Sequence, residues 1–282
     1  MKILVTGANG QLGREIQKQL KNVEADVIAT DVKDLDITDV EAVNKFFDEK
    51  KPDIVINCAA HTNVDKCEEQ IDLAYKINAI GPKNLASASY KSGAEIVQIS
   101  TDYVFSGNAK EPITEFDTPN PKSVYGVTKL AGENFVKALN PKHYIVRTAW
   151  LYGDGNNFVK TMIKLGKTHD EIKVVNDQVG TPTSTVDLAK VILKLVKEKN
   201  YGTFHCTCKG ICSWYDFAVE IFKLTGINVK VNPCTTEEFP RTAKRPKYSV
   251  LRNYMLELTT GDITRDWKES LKEYIGILKN NL

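Results

Sequence analysis

Lys2-Ile3-Leu4-Val5-Thr6-Gly7-Ala8-Asn9-Gly10-Gln11-Leu12-Gly13 is the stretch that decides the fold of this 282-residue chain. Lys2 to Thr6 is a short apolar run rich in β-formers, and Leu12, Ile16 and Leu20 then recur at helical spacing. Strand, glycine-rich turn and helix in this order suit a phosphate. Glycine permits the tight turn and lets the backbone approach a pyrophosphate, whose charge is met by N–H groups at the helix start. The spacing is Gly-x-x-Gly-x-x-Gly rather than the usual Gly-x-Gly-x-x-Gly fingerprint. A glycine turn alone says little, because any tight βα connection uses one. Placed after the first strand of an alternating β/α chain, it points to a dinucleotide.

The alternation runs for about 150 residues. Apolar strands are expected at Lys2–Thr6, Asp26–Thr30, Asp53–Cys58, Glu95–Ser100 and Tyr144–Arg147, with helices near Gly10–Leu20, Val40–Lys50, Leu73–Lys91 and Tyr125–Leu139. Such a series winds into a doubly wound parallel sheet with right-handed crossovers, a Rossmann-type α/β fold. Its ligand should sit beyond the carboxyl ends of the strands, where Gly7, Ala60, Thr101 and Trp150 fall. After Trp150 the pattern loosens. Residues 1–150 are therefore expected to form the dinucleotide-binding domain, with a return to the sheet near 203–207, and residues 151–282 a smaller, mainly substrate-binding region.

Asp31 ends the second strand, about twenty positions past the loop, where a carboxylate can accept hydrogen bonds from an adenosine ribose. That favours NADH over NADPH, because the carboxylate repels a 2′-phosphate. Lys33 lies near enough to offset the repulsion, so NADPH stays open, as does a plain turn role for Asp31. Asp36 and Ile37 fall where a loop could cover the adenine.

Formal net charge is +2, too balanced for a nucleic-acid footprint. No apolar stretch approaches bilayer length and the chain opens on a strand, so a soluble, cytoplasmic protein is expected. Of the six cysteines, Cys206, Cys208 and Cys212 are clustered, but Cys206 and Cys208 are expected to diverge and no Cys-x-x-Cys knuckle is present. Reduced thiols are expected, with Cys234 in a loop.

Tyr125 and Lys129 lie one helical turn apart, on one face. A lysine ammonium beside a tyrosine favours phenolate and lowers the phenol from its usual range near 10. Tyr125 could then exchange a proton with a carbonyl or hydroxyl oxygen while hydride moves at carbon. Lys129 can also hold the nicotinamide ribose, and the Thr101 hydroxyl can bond the same substrate oxygen.

The Gly7–Gly13 loop, Asn57-Cys58-Ala59-Ala60, Asn78 and Tyr125-x-x-x-Lys129 resemble the extended short-chain dehydrogenase/reductase superfamily. Within it the chain is similar, nearly end to end, to the dTDP-4-dehydrorhamnose reductase family. The stretches that carry this are 59–66, Ser100-Thr101-Asp102-Tyr103-Val104-Phe105, 147–153, 177–183 and Arg245-Pro246-Lys247-Tyr248-Ser249-Val250-Leu251. The resemblance implies NAD(P)H-dependent reduction of the 4-keto group of dTDP-4-dehydro-L-rhamnose to dTDP-L-rhamnose. Tyr125 would be the proton donor, Lys129 its partner and Thr101 the third catalytic group. Gly7, Gly10, Gln11, Leu12, Gly13, Asp31, Asp36, Ile37, Ala59, Ala60, His61 and Thr62 would line the cofactor with Tyr125 and Lys129. Asp102, Trp150 and Thr101 would meet the sugar, Arg245 would clamp the diphosphate, and Asn78 would support the active-site backbone.

Some relatives dimerise through a magnesium site of glutamates. Glu15 matches one such position, but Ser184-Thr185-Val186-Asp187 supplies no second, so no metal and a monomer or weak homodimer are expected. Sugar-nucleotide dehydratases of this fold resemble Thr-Asp-Glu after the strand, where this chain has Tyr103. Two alternatives stay open. One is a reductase or epimerase of another nucleotide-linked keto sugar, the other an NADP(H)-binding regulatory subunit of the same fold.

Overall fold

The computed structural model describes residues 1–280; residues 281 and 282, the end of the expected second region, lie outside the described residues. The strands are β1 (Lys2–Thr6), β2 (Asp26–Thr30), β3 (Ile54–Asn57), β4 (Glu95–Thr101), β5 (His143–Thr148), β6 (Leu151–Tyr152), β7 (Glu171–Val175), β8 (Val179–Gly180), β9 (Thr183–Ser184), β10 (Gly202–His205), β11 (Cys212–Ser213) and β12 (Lys230–Cys234). The helices of the first half are α1 (Gln11–Leu20), α2 (Val40–Lys50), α3 (Val64–Glu69), α4 (Ile71–Tyr75), α5 (Gly81–Ser92) and α6 (Val124–Leu139). Those of the second are α7 (Phe158–Gly166), α8 (Thr185–Glu198), α9 (Trp214–Thr225), α10 (Tyr254–Leu258) and α11 (Trp267–Asn280).

Six strands form one parallel sheet in the order β10-β5-β4-β3-β1-β2. The strand order reverses at β1, which has β2 on one side and β3 on the other, so a crevice opens above the carboxyl ends of β1 and β3. Side-chain alternation sorts the sheet into two cores. Ile3 and Val5 point to one, with Leu12 and Ile16 of α1 and Leu188 and Ile192 of α8. Leu4, Val55, Ile96 and Ile145 point to the other, against Val43 and Phe47 of α2, Leu85 of α5 and Val136 of α6. Burying each such side chain is worth roughly 1.5–3 kcal/mol. Both faces being covered, the strands read as continuous apolar runs rather than as alternating ones.

A third core joins α7, α9 and α11 to the two-stranded parallel pair of β7 and β12 through Val159, Phe217, Phe222 and Leu271. Pro233 is tolerated inside β12 because the pair is all edge. Cys234, expected in a loop, is instead the buried last residue of that strand. Cys206 enters the sheet core and Cys208 the third core; strand alternation would have put residues two apart on one face, and they part because β10 ends at His205. All six thiols are free.

One expected helix is not a single helix. The segment read as continuous over 73–91 is α4, a π-helical turn at Lys76–Ile80, and α5. The wide turn serves Asn78, whose amide oxygen accepts the His61 N–H at 2.8 Å while its nitrogen donates to the His61 carbonyl at 3.1 Å and to Thr128 Oγ1 at 3.2 Å. Gly132 of α6 lies against that turn, where a Cβ would stand 2.2 Å from the Asn78 carbonyl oxygen. Periodicity carries no trace of such a bulge, which depends on contacts with two distant segments.

Candidate active site

The glycine loop is shaped by contacts that no side chain could share. Gly7 has φ +61°, and a Cβ there would lie 2.6 Å from the Ala59 nitrogen. At Gly13 a Cβ would meet the Gly7 carbonyl oxygen at 2.4 Å. Gly10 caps α1 without a side-chain bond, and the amides of Gln11, Leu12 and Gly13 have no acceptor among the described residues. Three free N–H groups at a helix start, beside a turn with no side chains, fit a pyrophosphate. The Asp31 carboxylate accepts the Asn9 N–H at 3.2 Å and the Val32 N–H at 2.8 Å, which fixes it at the loop's rim. Gln11 points the other way, its Oε1 accepting the Gly153 N–H at 2.9 Å and so tying the loop to the third-core region.

The loop opens into a cavity of about 1170 Å³. Gly7, Gly10, Gln11, Leu12, Gly13, Asp31, Ile37, Ala59, Ala60 and Thr62 line it at one end. Thr101, Asp102, Tyr125, Lys129, Trp150 and Arg245 line the remainder. Two expected residues are elsewhere. The Asp36 carboxylate accepts the Thr38 N–H and hydroxyl at 2.9 and 2.8 Å, closing its own turn. The His61 ring turns to Gln70, at 3.2 Å, while its backbone is held by Asn78. Leu35, buried and missed in the sequence, lines the cavity near Ile37.

Thr101 ends β4, and its hydroxyl donates to Asp102 Oδ1 at 2.8 Å. Tyr125 stands in the first turn of α6, which starts where the Ser123 hydroxyl accepts the Gly126 N–H. Its ring meets Tyr103 edge to face at 5.4 Å. Lys129, one turn further, is buried and donates from Nζ to the Ile99 carbonyl at 2.6 Å.

The electrostatics differ from the expectation that Lys129 depresses the phenol. Burial pushes the Tyr125 phenol up from its ordinary value, opposed by a hydrogen bond with Thr101 and reinforced by Asp102. Burial also pushes the Lys129 ammonium down to about 8, against the pull of Glu133. Desolvation is the largest effect on both groups, and the ammonium is directed at the Ile99 carbonyl. A phenol so held is protonated, which is the form a proton donor needs. Asp102 is buried too, its carboxyl pushed up to about 6, and its Oδ2 has no partner. Beneath the site Glu133 accepts Arg147 Nε and Nη2 at 2.9 and 2.7 Å and the Ser100 hydroxyl at 2.5 Å.

At the far end Trp150 has φ +48°, a left-handed conformation costing a bulky residue of order 1–3 kcal/mol. Its indole stacks on Trp214, centroids 3.6 Å apart and planes within 10°. Trp214 was missed in the sequence; Ser213 and Asp216 around it signal a helix start, not a site. Arg245 is already engaged, Nη2 donating to Asp65 Oδ2 at 2.8 Å, although its Nη1 is buried without a partner. No group of three or more His, Cys, Asp or Glu side chains is placed to hold a metal among the described residues, and Glu15 accepts from Gln19 at 2.8 Å. No described helix is long and apolar enough to cross a membrane.

Comparison with known proteins agrees with this geometry. A crystal structure of a dTDP-4-dehydrorhamnose reductase from Clostridium acetobutylicum is 84% identical, with a TM-score of 0.99 over 99% of this chain and 100% of that one. The dTDP-4-dehydrorhamnose reductase of Bacillus anthracis, solved in complex with NADP, is 48% identical with a TM-score of 0.96 over 98% and 99%. The spore coat polysaccharide biosynthesis protein SpsK of Bacillus subtilis is 45% identical over 97% of this chain and 96% of its own. The family model for the RmlD substrate binding domain matches residues 1–280. From the glycine loop to α11, this chain belongs to the RmlD substrate-binding family, built on a Rossmann-type parallel sheet.

Proposed function

We propose that this protein reduces the 4-keto group of dTDP-4-dehydro-L-rhamnose to the alcohol, with Tyr125 giving the proton. One observation carries the reading: Thr101, Tyr125 and Lys129 share a single cavity with the Gly7–Gly13 loop. When bound, a reduced nicotinamide dinucleotide supplies the hydride. The Gln11, Leu12 and Gly13 amides would hold its pyrophosphate, and Asp31 its adenosine ribose.

The chain's own residues do the rest. Tyr125 and the Thr101 hydroxyl, turned from Asp102, would donate to the carbonyl oxygen and orient it. As negative charge grows on that oxygen, the protonated phenol transfers its proton to it. The phenolate left behind is stabilised by the Thr101 hydroxyl and by the positive charge of Lys129 one turn away. Trp150 and Asp102 face the sugar. On this reading residues 1–150 with β10 form the dinucleotide-binding part and the residues after 150 a mainly substrate-binding part, α8 excepted because it packs on the sheet.

Asp31 sets cofactor choice. Its fixed carboxylate admits NADH readily, and the exposed Lys33 leaves room for NADPH.

The test is loss of NADH or NADPH absorbance with enzymatically prepared dTDP-4-dehydro-L-rhamnose, the two cofactors run in parallel. Substrate-dependent oxidation is expected, the ratio of rates giving the preference. Tyr125→Phe should lower kcat by about 10²- to 10⁴-fold with dinucleotide affinity nearly unchanged. Dinucleotide binding without oxidation would refute the reading in favour of another keto sugar or a regulatory role.

A further inference from the structure

We infer that Trp214 is a positioning residue of this site. By stacking it fixes the Trp150 indole as a flat apolar wall for the carbon face of the substrate's sugar ring. The inference rests on the reductase reading above, in which Trp150 meets the sugar.

The two indoles are supported very unequally. Trp150 sits between β5 and β6 in a left-handed backbone conformation that bulky residues rarely keep without outside support. Its indole nitrogen makes no hydrogen bond among the described residues. Among the described residues its backbone is tied only through its carbonyl, which accepts the Thr183 N–H at 3.2 Å. Trp214, by contrast, is the first residue of α9. A capping box closes that helix start, the Ser213 hydroxyl accepting the Asp216 N–H at 3.0 Å and the Asp216 carboxylate accepting the Ser213 N–H at 2.9 Å. Phe217 anchors the same turn in the third core, fully buried. Phe158 of α7 packs on Trp214 with centroids 4.6 Å apart. Orientation therefore passes from the rigid helix through Trp214 to Trp150.

A second contact limits the swing of the indole. Gly180 lies against the six-membered ring of Trp150, where a Cβ would stand 2.7 Å from Cε2. With Trp214 on one face and Gly180 close by, the Trp150 ring is held in one plane. Both indoles border the cavity. A flat hydrocarbon surface suits the C–H face of a 6-deoxy sugar, which carries a methyl where a hydroxyl would be left without a partner.

The experiment is a double-mutant cycle with Trp150→Ala, Trp214→Ala and the double variant. It reads kcat and KM with the keto sugar, NADPH affinity, and the excitonic circular dichroism couplet of the stacked indoles. Each single change should lower kcat/KM by about tenfold, and the double should be no worse than Trp150→Ala within roughly threefold. NADPH affinity should hold, which a general loss of folding would not allow. Trp214→Phe, which keeps a stacking face, should recover most of the loss. Trp214→Leu keeps bulk without such a face and carries the same comparison if Trp214→Ala does not fold.

Losses that multiply in the double variant would overturn the inference, since the two indoles would then act independently. So would a Trp214→Leu variant with wild-type kcat/KM, or a wild-type spectrum without the couplet. Failure of the reductase reading is recognised separately, by a wild-type protein that shows the couplet and binds NADPH but does not turn over the keto sugar.

Discussion

Replacing Glu133 by Gln should destabilise this protein more than its single-atom change suggests. Glu133 and Arg147 are 0% and 2% exposed, so the pair is fully out of water. The carboxylate takes both Arg147 Nε and Nη2, at 2.9 and 2.7 Å, and Lys137 Nζ lies 3.6 Å away. Gln keeps the shape but turns an NH₂ toward groups that can only donate. Arg147 would then be a buried charge without a counter-ion, its Nη1 already lacking a partner. Breaking one side of such a pair costs about 3–5 kcal/mol. With a urea m-value of about 3 kcal/mol/M, the unfolding midpoint falls by roughly 1–1.7 M. The double variant Glu133→Gln/Arg147→Met, which removes the orphaned charge, should regain most of that loss. The same change removes the pull that keeps Lys129 from falling further below its position at about 8, so the alkaline limb of activity should move to lower pH. A midpoint shift equivalent to under about 1 kcal/mol, or a double variant as unstable as the single, would refute the reasoning.

Three further outcomes follow from other parts of the site. Gly13→Ala sets a Cβ 2.4 Å from the Gly7 carbonyl oxygen, so dinucleotide affinity measured by fluorescence titration should fall more than about tenfold; an unchanged Kd would remove the loop from the site. Asp31→Ser removes the charge opposing a 2′-phosphate and should raise the NADPH-to-NADH ratio of kcat/KM roughly tenfold, and a fixed ratio would place the ribose elsewhere. His205 is buried with its ordinary 6.5 pushed down to about 3, so between those values the unfolded chain binds a proton that the folded one does not. Its contribution to stability is therefore lost as pH falls through that window. His205→Gln should flatten the acid limb of a stability–pH curve relative to wild type, and superimposable limbs would contradict the assignment. Asp102 acts with the opposite sign but is common to both proteins.

Local chemistry made much of the molecule readable. The strand–glycine–helix opening, the apolar strands that follow and the Tyr125–Lys129 spacing all depend on neighbours a few residues apart, and sequence records those directly. The doubly wound parallel sheet follows from that alternation because helices between strands leave few other ways to cover both faces. Readings that needed a distant partner fared differently. The resemblance implies a diphosphate clamp at Arg245, which does line the cavity, but its guanidinium also binds Asp65, 180 positions away. Asp36 had the right place in the chain but closes its own turn. Neither partner leaves a mark in local pattern.

The sequence by itself determined the elements, their order and the chemical groups available to the site, because propensity, side-chain periodicity and glycine's freedom act over a turn or two. Only the tertiary structure decided how those groups behave. Burial, set by the packing of α6 on β4, holds the Tyr125 phenol protonated and brings Lys129 down to about 8. The π turn that carries Asn78 and the stack of Trp214 on Trp150 likewise arise from contacts between segments 17 to 64 positions apart. Desolvation and packing are sums over everything that surrounds a group, and the chain's order alone does not say what will surround it.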